Sequence, residues 1–262
     1  MQGWYRVSYW TIGASIRATW RVKATGREHV PLEGPVILAS NHLSFLDHFV
    51  TGGVLKRQLF FISKVEHFES KVKAFLFKRW GVIPLARGSG DQAAFDASLE
   101  VLRRGDAFII YPEGTRSLDG KLHKGHTGVA RLAAMTGAPV VPVACVGTFE
   151  ALPKGAKRPR LTKCEVRFGA PLDFSRFTGK EDDRETCRRI TDTVMMEIRA
   201  LSGQDYVHEY QFNPEYATKD QRKGAAPEPP ATPEPRRAPR AGRGDKIVAL
   251  KRPKTRRAEA VP

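Results

Sequence analysis

Residues 35–47 read PVILASNHLSFLD, an apolar run that gives way abruptly to a polar cluster. The apolar residues 35–39 predict a strand buried on both faces, which is typical of the middle of a sheet covered by helices. His42 and Asp47 follow where this strand ends. Because such sheets present functional groups just beyond the carboxyl ends of their strands, we predict an α/β fold with a functional site at this edge.

The spacing of His42 and Asp47 suits a loop that runs into a helix. We expect His42 in the loop and Asp47 in the first turn of a helix at 45–55, from which its carboxylate reaches back to the imidazole. A carboxylate in that position fixes one imidazole tautomer and leaves the other nitrogen free to take a proton. Chance alone gives a chain of this composition about 0.3 such spacings, so the pair acquires meaning only from its context.

The rest of the sequence alternates between strand patterns and helix patterns. This alternation predicts a mostly parallel central sheet flanked by helices. Apolar runs predict further strands at 58–63, 81–87, 107–111 and 139–146, and an alternating pattern predicts a peripheral strand at 163–168. Helical patterns predict helices at 66–80, 91–104, 124–136 and 181–201.

Two more polar groups stand where predicted strands end. Arg87 ends one strand, and its guanidinium is a fixed fork of donors that suits a phosphate, although a lone arginine more often forms a surface ion pair. Another strand runs into Pro112-Glu113-Gly114-Thr115-Arg116-Ser117. The N–H groups around Gly114 and Thr115, joined by Arg116, are suited to hold an anion or a developing oxyanion. Without neighbours, the same residues would indicate only a turn.

Composition limits the class of protein. At 262 residues with 41% hydrophobic content, the chain can form one domain with a packed core and a tail. Its 3 cysteines lack Cys-x2-Cys spacing, so they support neither a zinc site nor a disulfide framework, and they favour a reducing, cytosolic setting. The net charge of +16 indicates an anionic partner, whether nucleic acid, phospholipid headgroups or a phosphorylated substrate.

Residues 4–20 form an aromatic-rich segment with a helical pattern. Arg6 and Arg17 interrupt it, so it falls short of the roughly 18 uncharged apolar residues of a spanning helix, and it lacks the features of a signal peptide. Arginines surround Trp10 on one side, and the other side carries a stripe of Tyr5, Tyr9, Ile12, Ile16 and Trp20. The pattern suits a membrane interface and equally a terminal helix packed on the domain.

From about residue 219 the composition changes to Pro, Ala, Arg and Lys. Residues 219–262 hold 13 basic and 5 acidic residues, a net +8 that is half the charge of the chain. We predict a disordered basic tail at 217–262, attracted to an anionic membrane or to nucleic acid, or serving only solubility. The ordered domain is expected to span 23–216.

Several of these clusters stand in a fixed order along the chain: Asn41-His42-x4-Asp47, Gly81-x5-Arg87, Tyr111-Pro112-Glu113-Gly114-Thr115-Arg116-Ser117, and Val141-Pro142-Val143 leading to Gly147-Thr148. In order and spacing they resemble the motif blocks of the glycerolipid acyltransferase family, the 1-acylglycerol-3-phosphate acyltransferases. The resemblance covers about residues 30–150, and Tyr111 stands where phenylalanine is more usual.

The resemblance implies acyl transfer from a thioester, acyl-coenzyme A or acyl carrier protein, to the free hydroxyl of 1-acylglycerol 3-phosphate, which gives phosphatidic acid. It implies neither a metal nor a further cofactor. By similarity, His42 is the general base and Asp47 orients and polarises it. The resemblance also assigns the glycerol phosphate to Gly81, Arg87, Glu113, Gly114, Thr115 and Arg116, and the acyl donor to the Pro142 block.

Two alternatives stay open at this point. The same chemistry on another acceptor, such as glycerol 3-phosphate, another lysophospholipid or a glycolipid, also fits the motifs. A non-catalytic protein that binds anionic lipid or nucleic acid would use the tail and keep the motifs as vestiges.

We also expect a peripheral enzyme on the cytoplasmic face of the cell membrane. Residues 1–22, the basic segment at 71–79 and the tail would hold it there. Nucleic acid is not expected as its partner.

Overall fold

The computed structural model describes residues 3–68, 70–85 and 90–211. Arg87 and the predicted tail at 217–262 lie outside the described residues, as does the predicted end of the domain near Tyr216.

The elements follow the predicted alternation of strand and helix. The strands are β1 (Lys23–Thr25), β2 (Val36–Ser40), β3 (Leu59–Lys64), β4 (Val82–Leu85), β5 (Ala107–Ile110), β6 (Leu122–His123), β7 (Val140–Val146), β8 (Glu165–Phe168) and β9 (Tyr206–Val207). The α-helices are α1 (Gly3–Ser8), α2 (Ala14–Thr19), α3 (Asp47–Val54), α4 (Lys71–Arg79), α5 (Gly90–Arg103), α6 (Gly128–Thr136), α7 (Thr148–Ala151) and α8 (Arg184–Ser202). A π-helical turn, Tyr9–Gly13, joins α1 to α2.

The main sheet has 7 strands in the order β1-β8-β7-β2-β5-β3-β4. The strands from β7 to β4 run parallel to one another, whereas β8 and its neighbour β1 run in the opposite direction. This arrangement confirms the predicted mostly parallel sheet flanked by helices. β6 and β9 pair with each other outside this sheet.

The strand predicted at 35–39 is β2, which lies in the middle of the sheet between β7 and β5. Every residue of β2 is buried. Val36 and Leu38 face a core cluster that includes α3, whereas Ile37 and Ala39 face a second cluster formed with α5, α6 and α8. Because helices cover both faces, β2 carries apolar side chains at successive positions rather than at alternate ones.

The aromatic stripe of the first helical segment is buried against α3. The hydroxyl of Tyr5 donates to the carbonyl oxygens of Gly52 (3.1 Å) and Leu55 (3.3 Å). The guanidinium of Arg17 donates to the carbonyl oxygen of Gly53. The structure therefore agrees with the packed-helix alternative for this stripe, because its apolar face already has a protein partner.

The opposite side of the same segment is exposed. It carries Arg6, Val7 and Trp10, and Trp10 is 65% exposed. Among residues 3–68, 70–85 and 90–211, no helix combines the length and apolar content that crossing a bilayer requires.

Some elements differ from the predicted ones. The helix predicted at 66–80 is a short 3-10 helix, Val65–Phe68, followed by α4, and Ser70 just before α4 has an extended backbone (φ −87°, ψ 128°). α6 begins at Gly128 rather than at 124, because Leu122 and His123 pair with β9 and lengthen the preceding loop. β1, β6 and β9 were not predicted, since strands of 2 or 3 residues carry too little pattern to recognise.

Candidate active site

Two polar loops leave the same edge of the sheet. His42 follows β2, and residues 112–117 follow β5, its parallel neighbour, with Ala39 level with Ile110. The backbone N–H of Ser117 donates to the carbonyl oxygen of His42 at 2.7 Å, which joins the two loops. The carboxyl ends of β2 and β5 thus bring their polar groups together.

The imidazole of His42 is held by Asp47, the first residue of α3. Its Nδ1 atom lies 2.9 Å from Oδ2 of Asp47, which is fully buried. The same oxygen accepts the backbone N–H groups of Leu43 (2.8 Å) and Ser44 (2.8 Å). Since Oδ2 acts as an acceptor throughout, the network assigns the imidazole proton to Nδ1 and the lone pair to Nε2.

The pKa of His42 lies below the ordinary value of 6.5. Burial is the main cause, because it disfavours the charged imidazolium. The hydrogen bond and charge of Asp47 oppose this effect, whereas the positive charges of Arg116 and Lys154 add to it. The imidazole is therefore neutral at pH 7, with Nε2 able to take a proton.

Glu113 connects the two loops through backbone groups. It is 1% exposed, and its two oxygens accept the N–H groups of His42 (2.9 Å) and His123 (2.9 Å). Burial raises the pKa of Glu113 to about 8, although both hydrogen bonds act to lower it. Because both oxygens are engaged, this geometry differs from the predicted contact with a glycerol phosphate.

The next residues of this loop are more open. Gly114 is exposed and has φ +71°, a conformation that favours glycine. Thr115 accepts a hydrogen bond from Nζ of Lys154 at 3.2 Å. Arg116 is half-buried, and no described residue forms a hydrogen bond or an ion pair with its guanidinium. Gly114, Thr115 and Arg116 thus lie in the loop that Ser117 joins to His42, and their binding of an anion stays a prediction.

Aromatic rings cover one side of the imidazole. The ring of Tyr111 stacks on His42, with centroids 3.9 Å apart and planes 22° apart. The Tyr111 hydroxyl is hydrogen-bonded to Nδ1 of His48, whose ring also packs on Phe61. Tyr111, in the position that phenylalanine usually occupies, therefore links the proposed base to a second histidine.

Comparison with known proteins finds a family match over most of the residues that form this site. Residues 21–146 match the family model described as Acyltransferase. Over these residues, just under half of the chain, the sequence is similar to that acyltransferase family.

Proteins similar to this chain include a plant enzyme and a bacterial enzyme. A chloroplastic 1-acyl-sn-glycerol-3-phosphate acyltransferase of Arabidopsis thaliana is 33% identical over 146 residues, 55% of this chain and 41% of the relative. The Bacillus subtilis 1-acyl-sn-glycerol-3-phosphate acyltransferase is 27% identical over 165 residues, 61% of this chain and 79% of the relative. The chain spans about two fifths of the length of the chloroplastic relatives that it matches.

A solved structure shares the fold of this chain. The crystal structure of the 1-acyl-sn-glycerophosphate acyltransferase from Thermotoga maritima superposes with a TM-score of 0.59 at 25% identity, covering 76% of this chain and 84% of that chain.

Gly81 does not lie with the other motif residues of the acyltransferase family. It precedes β4 and therefore stands at the amino end of a strand parallel to β2. With φ +91°, a Cβ at this position would lie 2.4 Å from the carbonyl oxygen of Leu59. Gly81 is thus required by the backbone, and its position differs from the predicted contact with the glycerol phosphate. Arg87, its partner in the same motif block, lies outside the described residues.

Pro142 is buried within the sheet rather than at its edge. It lies beside Ala39 of β2, and its carbonyl oxygen accepts the N–H of Gly169 at 2.8 Å. The pairing between β7 and β8 is irregular here, with Val143 opposite Phe168 but Val140 opposite Leu172. Such an irregularity accommodates a proline, which lacks an N–H. A role for this block near the acyl donor stays a prediction.

Two residues near His42 escaped the sequence analysis. His48 follows Asp47 directly, and its position in the first turn of α3 could have indicated that it lies near His42. Lys154 carried no signal, because it stands in an irregular loop after α7, outside every motif block.

We predict that Glu113→Ala lowers the free energy of unfolding by about 1–3 kcal/mol for each buried N–H left without an acceptor. Glu113→Gln should cost less, because its amide oxygen can still accept one of the two hydrogen bonds. Urea denaturation of the full chain measures both effects, with the exposed Glu150→Ala as the control. Equal stability of the Glu113→Ala and Glu150→Ala variants would contradict the bridging role.

Proposed function

We propose that this protein transfers an acyl group from a thioester, acyl-coenzyme A or acyl carrier protein, to the free hydroxyl of 1-acylglycerol 3-phosphate, giving phosphatidic acid. The His42–Asp47 pair carries this proposal, because it leaves the lone pair of a neutral imidazole on Nε2. The match to the acyltransferase family model and the activities named for the relatives support this choice of acceptor.

In the proposed reaction, Nε2 of His42 takes the proton of the acceptor hydroxyl. The hydroxyl oxygen forms a bond with the carbonyl carbon of the thioester, and the tetrahedral intermediate collapses as the carbon–sulfur bond breaks. The proton on His42 passes to the departing thiolate, so that the products are an ester and a free thiol. Asp47 fixes the orientation of the imidazole and stabilises the imidazolium between the two proton transfers.

Arg116 is proposed to bind the acceptor phosphate. Its guanidinium is half-buried beside the His42 cluster and lacks a hydrogen-bonding partner in the described part of the chain. A guanidinium binds phosphate oxygens through paired N–H donors. The N–H groups around Gly114 and Thr115 offer further donors in the same loop. By resemblance alone, Arg87 shares this role.

We also propose that the protein reaches its acceptor at an anionic membrane surface. α4 exposes Phe75 (52%) and Leu76 (36%) beside exposed lysines, and the first helical segment exposes Trp10. Both elements pack on α3, since Tyr5 bonds to its carboxyl end and Phe49 stacks edge-on with Trp80 after α4. Apolar side chains set beside basic ones suit the boundary between headgroups and acyl chains.

We predict that His42→Ala lowers the rate of acyl transfer by about 10²–10⁴, the usual contribution of a general base. Release of thiol from oleoyl-coenzyme A in the presence of 1-oleoylglycerol 3-phosphate measures it. His29→Ala, which changes a histidine beside β8, is the control. An unchanged rate in His42→Ala would exclude His42 as the base. No thiol release by the unchanged protein with any lysophospholipid would refute the enzyme and favour a non-catalytic lipid-binding protein.

The pH dependence of kcat/KM should follow the neutral form of His42. Activity should fall on the acid side with a midpoint below pH 6.5, because the pKa of His42 is lowered. In Asp47→Asn the midpoint should move to still lower pH, since Asp47 raises that pKa, while kcat falls as the imidazole loses its fixed orientation. A midpoint that Asp47→Asn moves to higher pH would contradict this coupling.

Membrane binding should depend on the exposed apolar residues. Trp10→Ser and the pair Phe75→Ser with Leu76→Ser should reduce sedimentation of the full chain with phosphatidylglycerol vesicles. The control is Met196→Ser, because Met196 is similarly exposed (38%) but lies on α8, which covers the other face of the sheet. Point variants are used because deletion of residues 1–22 would expose the core around Tyr5. Sedimentation equal to that of the control would contradict the proposed surface.

A further inference from the structure

The loop that follows α7 brings a lysine to the His42 cluster. Nζ of Lys154 donates to Oγ1 of Thr115 at 3.2 Å. Thr115 is the direct neighbour of Arg116, so an ammonium and a guanidinium adjoin the same short loop. Lys154 belongs to none of the family motif blocks.

The position of this loop is set by the core of the domain. The Ser44 hydroxyl, from the loop that carries His42, donates to the carbonyl oxygen of Leu152 at 2.7 Å. At the far end of the loop, the carbonyl oxygen of Arg160 accepts a hydrogen bond from the indole N–H of Trp20 at 3.1 Å. The backbone N–H of Arg160 donates to the carbonyl oxygen of Ala151 at 2.7 Å. Lys154 is therefore held near His42 by the same loops that form the site.

Positive charge gathers around the imidazole. The positive charges of Arg116 and Lys154 both lower the pKa of His42, and Lys154 is hydrogen-bonded to Thr115 in the loop whose Ser117 bonds to the backbone of His42. The carboxylates that contact His42, those of Asp47 and Glu113, are buried and already accept hydrogen bonds. An anionic group next to the reacting atoms would be attracted to this positive charge.

The acceptor carries such an anion in the right place. Its phosphate is attached to the carbon next to the one that bears the reacting hydroxyl, so the phosphate must lie close to Nε2 of His42. The phosphates of coenzyme A, and the phosphodiester of a carrier protein, are separated from the thioester by the whole pantetheine arm. A cation beside His42 is therefore better placed for the acceptor than for the donor.

We propose that Lys154 binds the phosphate of the acceptor together with Arg116. This inference rests on the proposed function, and it adds to the site a substrate-binding residue from outside the motif blocks.

Three variants of the full chain separate charge from packing. Lys154→Met removes the ammonium and keeps an unbranched side chain, Lys154→Arg keeps the charge, and Lys157→Met removes an exposed lysine from the same loop as a matched control. The KM for 1-oleoylglycerol 3-phosphate should rise at least about tenfold in Lys154→Met, as expected for the loss of a charge-assisted hydrogen bond. The KM for oleoyl-coenzyme A should stay unchanged, and Lys154→Arg should retain most of the acceptor affinity.

The pH profile gives a second readout that a purely structural lysine would not move. Lys154→Met should shift the acid limb of kcat/KM to higher pH, because the charge that lowers the pKa of His42 is lost. Lys157→Met should leave the limb in place. An unchanged acceptor KM in Lys154→Met, or a rise confined to the donor KM, would overturn the inference.

Calorimetric titration keeps this test separate from that of the enzyme activity. The probes are 1-hexanoylglycerol 3-phosphate and 1-hexanoylglycerol, which differ only in the phosphate. Lys154→Met should weaken binding of the first probe alone, and equal binding by the variant and the unchanged protein would overturn the inference. If the unchanged protein shows no turnover, the proposed function fails, whereas a phosphate-dependent loss of binding in Lys154→Met would still support the lysine.

Discussion

The buried carboxylate of Asp47 is the group on which the geometry of the site depends. Burying a carboxylate is costly unless hydrogen bonds replace its hydration. Its Oδ2 atom obtains them from the N–H groups of Leu43 and Ser44 and from the imidazole of His42. Asp47 also begins α3, where the helix N-terminus favours negative charge. The groups that compensate for the burial of Asp47 are thus the backbone of the loop and the imidazole of His42. The same hydrogen bonds therefore stabilise the carboxylate and fix the position of the base.

The sheet holds this loop from both sides. Toward β7, the side-chain amide of Asn41 donates to the carbonyl oxygen of Cys145 (3.0 Å) and accepts its N–H (2.8 Å). Toward β5, the side chain of Glu113 accepts the N–H of His42, and the N–H of Ser117 donates to the carbonyl oxygen of His42. The backbone of His42 is therefore positioned by both neighbours of β2, and the imidazole is positioned by α3. Such support reduces the motion available to the base and keeps Nε2 as the one ring nitrogen that can exchange a proton.

The residues whose surroundings follow from local pattern could be predicted from the sequence. The apolar run at 35–39 predicts a two-sided buried strand, and the His42–Asp47 spacing predicts a loop that runs into a helix; both are observed. A pattern does not identify the partner of a side chain. The aromatic stripe around Tyr5 would look the same facing lipid or α3, and a buried carboxylate such as Glu113 would look the same facing a ligand or backbone amides. Lys154 required the tertiary fold, because its loop reaches His42 only once β7 lies beside β2.

The state of the His42 imidazole tests the central claim most directly. Nitrogen-15 NMR of the full chain, with the His42 signals assigned from a His42→Gln sample, reports the tautomer and its titration. A neutral ring with its proton on Nδ1 at pH 7, which takes up a second proton only below pH 6.5, is the expected result. A ring that carries its proton on Nε2 at pH 7, or that is already an imidazolium there, would contradict the role of Asp47 and of His42 as the base.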